Sequence, residues 1–273
     1  MTDRWLAIRV EPSGNAQPVI DALFTAGSQG IQEEGNAIIT HFPPGTIADD
    51  VERVIRSADS TARITSHLAP AADWSEWRAS VGEHRIGRLT IAPPWMASDD
   101  PMRVIIDPAM AFGTGEHATT RGVIRLMQKL PSMPAIVADL GAGSAVLAIC
   151  AAKLGASRVV AIELDPDAIG NAEENIAVNG VSGIVTVIQG NAALLLPLIS
   201  PVNLVFANII SSVLVDLLQS IAESLSDGGH AILSGILTDE RAMMTEVLAR
   251  GRWEILGDDV EENWWSVLVR PQR

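Results

Sequence analysis

The chain has 273 residues and a mass of 29.0 kDa, with 48% apolar residues, 19% charged residues and a formal net charge of −14. This composition is globular, and the length suits one large domain or two smaller ones, each with its own core. The 33 acidic residues outnumber the 19 basic ones, of which only Lys129 and Lys153 are lysine, and this acidic excess argues against a nucleic-acid grip built on clustered cations; the single Cys150 excludes an intramolecular disulfide framework and the usual cysteine-based zinc sites.

The amino terminus, Met1-Thr-Asp-Arg-Trp-Leu, carries an acid and no long apolar run, so no secretory signal is read there and a cytoplasmic protein is the expectation. Trp5–Val10 alternates as a strand and Val19–Thr25 follows as a helix. Ala37–Phe42, Ala48–Ser57 and Ala62–Leu68 then read as strand, helix and strand. Short strands interleaved with helices over residues 1–70 predict a small ferredoxin-like α+β domain. Residues 71–101, rich in Pro and Ala, read as a linker carrying Trp74, Trp77 and one strand, Arg88–Ala92, closed by Pro93-Pro94-Trp95.

From residue 102 to 273 strand and helix alternate. Strands are predicted at 135–139, 158–163, 185–189, 202–208, 231–234, 253–258 and 265–269, with helices at 118–130, 145–154, 166–179, 211–225 and 238–249. The pattern predicts a Rossmann-like, doubly wound, mostly parallel sheet covered on both faces. It ends in an antiparallel hairpin whose turn is acidic (Asp258, Asp259, Glu261, Glu262). Asn191–Val215 runs 25 residues without a charge, long enough to span a bilayer. Pro197, Pro201, Asn203 and Asn208 interrupt it, so it reads as a short helix, a turn at Ser200-Pro201 and a buried strand, with no membrane partner expected.

The most informative stretch is Asp139-Leu-Gly141-Ala-Gly143-Ser-Ala145, which follows one predicted strand and opens a helix. Glycines at 141 and 143 let the backbone turn tightly and approach a ligand, and the helix amino terminus offers free N–H groups. A dinucleotide fingerprint needs glycine at 146, which is Val146 here; the pattern is closer to the D-x-G-x-G-x-G of methyltransferases that bind S-adenosylmethionine, with Ala145 for the third glycine. Glu163, 22 residues after Gly141 at the end of the next strand, is placed to accept hydrogen bonds from ribose hydroxyls. No Arg or Lys follows it until Arg241, which argues against an NADP site. Asp165-Pro166 suits a helix start. Asn191, in the Gly190-Asn191 turn ending the third strand, is a candidate adenine contact.

Two further motifs carry a resemblance. Asp107-Pro-Ala-Met-Ala-Phe112-Gly113-Thr114-Gly115-Glu116-His117-Ala-Thr119-Thr120-Arg121 precedes the first strand of the second half, and Ala207-Asn208-Ile209-Ile210 closes the fourth. With the glycine turn and Glu163-Leu-Asp165-Pro166, these resemble the bacterial methyltransferase family of large-subunit ribosomal protein eleven (PrmA type). The similarity is dense from Asp107 to Ser234, and the first 70 residues match in layout alone. The resemblance implies a class I fold with S-adenosyl-L-methionine as cofactor, contacted by Thr120, Gly141, Glu163 and Asn208. It implies further that the first domain recognises the ribosomal protein and the second carries out the transfer. This chain departs from the family pattern at Glu116, Ala118, Ala145, Glu163 and Ser211.

Methyl transfer asks the protein to position an uncharged nucleophile against an activated donor. Asn208 is the candidate for aligning an amine, with helix capping as its other role. Phe112 and the turn 113–115 are candidates for covering the sulfonium, where an aromatic face favours a cation. Gly143 shares the cofactor turn. His117, Cys150 and the tryptophans read as structural. No metal ligands are expected. Between Arg158 and Arg241 there are ten carboxylates and no cation, which favours a cationic cofactor and a basic substrate. The expected function is N-methylation of that ribosomal protein at lysine ε-amines and the terminal α-amine. The alternatives are a methyltransferase of the same fold with another basic protein or a small molecule as substrate, and a catalytically weak ribosome-binding module.

Overall fold

The structure, a computed structural model, describes residues 4–14, 16–28, 31–35, 37–43, 45–70, 82–107 and 116–272. Phe112, the turn 113–115, Trp74 and Trp77, all singled out from sequence, lie outside these. The chain divides into two units, Met1–Val81 and Gly82–Arg273.

The first unit runs β1 (Arg4–Glu11), α1 (Gln17–Thr25), β2 (Ile31–Glu34), β3 (Ala37–Phe42), α2 (Ala48–Ala58) and β4 (Arg63–Pro70). Its sheet has the order β2-β3-β1-β4, every pair antiparallel, which is the ferredoxin-like arrangement. Leu6, Ile8 and Val10 alternate toward the core and meet Val51 and Ile55, four apart on α2. Strand β2 was not anticipated.

The second unit opens with three short strands, β5 (His84–Ile86), β6 (Leu89–Ala92) and β7 (Arg103–Ile105), forming a sheet of their own. Residues 82–101, expected in a linker, thus belong to this unit: Ile86, Leu89, Ile91 and Val104 are buried in its core. Proline and glycine punctuate the stretch without releasing it, because each strand is too short to show a period.

Then follow α3 (Ala118–Met127), β8 (Ile136–Leu140), α4 (Val146–Lys153), β9 (Arg158–Glu163), α5 (Pro166–Val178) and β10 (Val185–Gln189). After the turn α6 (Ala192–Leu195) come β11 (Val202–Asn208), α7 (Ser211–Ser224), β12 (Leu225–Leu237), α8 (Arg241–Arg250), β13 (Trp253–Glu261) and β14 (Trp264–Pro271). The sheet order is β10-β9-β8-β11-β12-β14-β13, parallel except for β14, which runs antiparallel to both its neighbours. The predicted closing hairpin is therefore present, with β14 inserted between β12 and β13. One sheet face buries α3, α4 and α5. The other buries Leu214, Leu217, Leu218 and Ile221 of α7 and Met244 and Leu248 of α8.

Helix α4 is buried nearly all round, including Cys150, whose thiol burial pushes above its usual range. The acidic hairpin is not a free acidic surface. Arg125 donates to both Asp259 oxygens at 2.9 and 2.6 Å and to Glu261 at 2.5 Å, and Arg121 reaches Glu261 at 2.9 Å, which staples α3 to the hairpin. Desolvation raises the Glu261 pKa, and the two guanidinium groups outweigh it and hold the carboxyl below its ordinary value.

Candidate functional site

Strand order reverses at β8, which lies between β9 and β11, so the carboxyl ends of β8 and β11 open the crevice where α/β sheets place ligands. The segments leaving that edge are the glycine turn after β8, Glu163 at the end of β9, Gly190-Asn191 after β10 and Asn208 at the end of β11. The parallel register brings together residues 67 positions apart: Ala207 faces Leu140, immediately before Asn208 and Gly141 respectively.

The turn has three successive positive-φ positions, Gly141 at 68°, Gly143 at 51° and Ala145 at 63°. Ala145 therefore adopts the left-handed conformation natural to glycine, costing about 1–2 kcal/mol, and its fully buried methyl offsets much of that. The backbone path is the one a third glycine would give. The Gly141 and Ala142 amides both donate to the Ile162 carbonyl, at 2.8 and 3.2 Å, seating the turn on β9.

Glu163 is half-buried, and its carboxylate spans the site's base. Oε2 accepts from the Gly143 amide at 2.7 Å and Oε1 from the Asp165 amide at 2.9 Å. The extra methylene relative to Asp lets the group reach the turn, and each oxygen keeps a second lone pair for a hydroxyl. Asp165 caps α5 through the Asp167 amide at 3.0 Å, the plain role that its sequence context suggests.

Two buried polar atoms at this edge have no partner among the described residues, Thr120 Oγ1 and Asp139 Oδ1, on side chains each 1% exposed. Native interiors rarely leave such atoms unmatched, so they are where a polar or cationic ligand would be received. Asp139 Oδ2 accepts from the Ala148 amide at 3.0 Å. Burial, with the nearby Glu163 charge adding to it and the amide opposing, pushes the Asp139 carboxyl up to about 7.

Asn208 forms no side-chain hydrogen bond among the described residues, and helix α7 starts at Ile210 with no side-chain cap. The competing role of helix cap is thereby removed. Asn191 does cap: its Oδ1 accepts from Ala193 at 2.8 Å, leaving its amide nitrogen as the group available to a ligand. His117 caps α3, its Nδ1 lying 2.7 Å from Thr119 Oγ1 and its ring 5.0 Å edge-on from Trp264. Burial, with help from Arg121 and against Glu262, lowers its pKa, so it is a neutral structural group. Glu116, the most conspicuous departure in this region, lies 3.7 Å from His84 Nε2, and its carbonyl accepts from Arg121.

Sequence reasoning passed over Asn175 on α5 and Asn179, four residues on, at the helix's carboxyl cap. Asn175 donates to Ser144 in the turn at 3.1 Å and accepts from Asp107 at 2.9 Å; Asn179 exchanges two hydrogen bonds with Ile105. Two amides on the buried stripe of an amphipathic helix were the available signal.

A seven-stranded sheet of this order, with a glycine turn and a carboxylate at its carboxyl edge, defines a class I S-adenosylmethionine-dependent methyltransferase. The chain matches the family described as ribosomal protein L11 methyltransferase (PrmA) over residues 14–272. It is 36% identical to the ribosomal protein L11 methyltransferase of Geobacter sulfurreducens, over 96% of this chain and 91% of that one. It is 33% identical to the protein of the same name from Pelotomaculum thermopropionicum, over 97% and 98%. Among solved structures it resembles ribosomal protein L11 methylase from Lactobacillus delbrueckii subsp. bulgaricus, with TM-score 0.63 and 29% identity over 70% of this chain and all of that one. The chain belongs to the PrmA family of ribosomal protein L11 methyltransferases.

The cofactor is S-adenosylmethionine, and the residues present fit it. The two orphaned buried oxygens, the side-chain-free turn and the lone pairs left on Glu163 together form a cradle for an adenosyl group bearing positive charge. No helix among the described residues is long and apolar enough to cross a membrane.

Proposed function

We propose that the chain methylates amino groups of ribosomal protein L11, the lysine ε-amine and the terminal α-amine, with Asn208 aligning the acceptor nitrogen. The observation that carries the reading is the uncommitted Asn208 carboxamide, standing one strand from Gly141 at the switch point and not engaged in capping α7. When bound, S-adenosylmethionine supplies an already activated methyl group, so no strong base is required of the protein. Gly141, Gly143 and Glu163 hold the adenosyl portion, while Thr120 offers a hydroxyl and Asp139 a carboxyl to its polar groups. Asn191 flanks the adenine side. The Asn208 oxygen accepts a hydrogen bond from a neutral amine, fixing its lone pair, and stabilises the cation that forms as the nitrogen gains a substituent.

The ten carboxylates and absent cations between Arg158 and Arg241 suit a lysine-rich acceptor arriving by electrostatic steering. Recognition of that acceptor falls to the ferredoxin-like unit, and a ribosomal substrate places the enzyme in the cytoplasm without any need to bind RNA. The test is transfer of radiolabelled methyl onto ribosomal proteins from cells lacking their own enzyme. Label on L11 is expected. Label on another band alone indicates a different acceptor, and cofactor binding with no label indicates a docking module.

A further inference from the structure

Ile209 sits where three strand ends meet. Its backbone N–H donates to the Ser234 carbonyl at 3.1 Å, across the pairing of Asn208 with Ser234. Its backbone then presses against Gly235. A methyl built there would stand 2.7 Å from the Ile209 carbonyl carbon, closer than real side chains approach, and a tight 3.0 Å from its nitrogen. Gly235 also has φ of 82°, and the β12–β14 register slips between Leu233 and Ile236, so a bulge brings residue 235 against the β11 exit. On the other side, a methyl built at Gly141 would meet Ile209 Cγ1 at 3.2 Å. The Ile209 side chain thus rests on the cofactor turn while its backbone rests on the bulge. Buried hydroxyls hold the bulge in turn: Ser234 Oγ lies 2.7 Å from Ser266 Oγ and donates to the Thr119 carbonyl at 3.3 Å, beside Thr120.

We infer that Ile209, clamped between Gly141 and Gly235, is a positioning residue that registers the Asn208 carboxamide against the cofactor turn, and that glycine at 235 is required for that register. This rests on the reading of Asn208 as the aligning group. The physical reason is leverage. The peptide joining Asn208 to Ile209 has bulk on one side and a fixed turn on the other, so crowding at 235 must displace the residue before it. A displacement of about 1 Å at a reacting group costs on the order of a hundredfold in rate. The cofactor turn, which Ile209 meets through its side chain alone and which Ile162 and Glu163 hold independently, would scarcely move.

The test measures kcat and KM for methyl transfer to ribosomal protein L11 by the full chain, with S-adenosylhomocysteine affinity measured by calorimetry. Gly235→Ala is expected to lower kcat by roughly 30–100-fold while the affinity stays within about threefold. Added to Asn208→Ala it should cost no more than about a further threefold, because the group it misplaces is already gone. Retention of kcat by Gly235→Ala, or losses that multiply in the double variant, overturns the inference. If Asn208→Ala alone keeps full kcat, it is the Asn208 reading that fails, a separately visible result. Should Gly235→Ala not fold, Ile209→Ala keeps the backbone and removes the bearing on Gly141. It is expected to lower kcat by about tenfold, and unchanged kcat and affinity in that variant overturn the inference.

Discussion

Asp139 gives the sharpest quantitative expectation. It is 1% exposed, one oxygen holds the Ala148 amide and the other has no partner among the described residues, and burial pushes its carboxyl up to about 7. In the unfolded chain it titrates near 3.8. The native state therefore binds more protons than the unfolded state between these values, and stability must fall as pH rises through the window. At about 1.4 kcal/mol per pH unit, the full cost by pH 8 is about 4 kcal/mol. Asp139→Asn keeps an acceptor for the Ala148 amide and cannot ionise. Urea unfolding of the ligand-free protein should show the two forms equal near pH 4, with the variant more stable by about 3–4 kcal/mol at pH 8. A difference that is flat across this range would refute the reasoning, since it would mean that Asp139 is not held against its own ionisation. The same variant should bind the cationic cofactor more weakly.

Glu163→Ala removes the acceptor of two backbone amides as well as the proposed ribose contact, so S-adenosylhomocysteine affinity should drop by about 1–3 kcal/mol by calorimetry, with loss of stability beside it. Glu163→Gln, which keeps one acceptor oxygen, should lose less of both. Ala145→Gly exchanges relief of a left-handed alanine for a lost buried methyl and should change stability by less than about 1 kcal/mol, whereas Ala145→Val, branched at that φ, should lose at least about 2 kcal/mol. Arg125→Met strands Asp259 and leaves Glu261 to Arg121 alone, and should lower stability by about 1–3 kcal/mol in a thermal melt, with little dependence on added salt.

The legible parts of the fold were those with a strong local signature. Strands β9, β10 and β11 matched their sequence bounds because buried parallel strands read as short apolar runs closed by Glu, Gln or Asn. The strand Ile31–Glu34, with two adjacent acids, and the three-residue strands β5 and β7 carried no period to detect. Strand β12 began six residues before its predicted start, because Ser226-Asp-Gly-Gly229 looks like a turn; the strand runs through it as an irregularity, with Gly228 at φ 74° and the pairing with β11 slipping between Leu225 and His230. At the site, Gly141 and Glu163 were visible because turn chemistry and strand-end carboxylates are local. The bearing of Ile209 on two glycines 94 residues apart was not, since a close approach between distant backbones leaves no mark on either segment alone.

We propose that the 141–145 turn and the Glu163 carboxylate receive the adenosyl group directly across from Asn208. A crystal structure of the chain with bound S-adenosylhomocysteine tests it most directly. The account predicts ribose hydroxyls on Glu163, the amino-acid end reaching Thr120 or Asp139, and the sulfur facing the Asn208 carboxamide. Density for the ligand away from this edge, or a Glu163 carboxylate bonded to backbone amides alone while the ribose lies elsewhere, would contradict it.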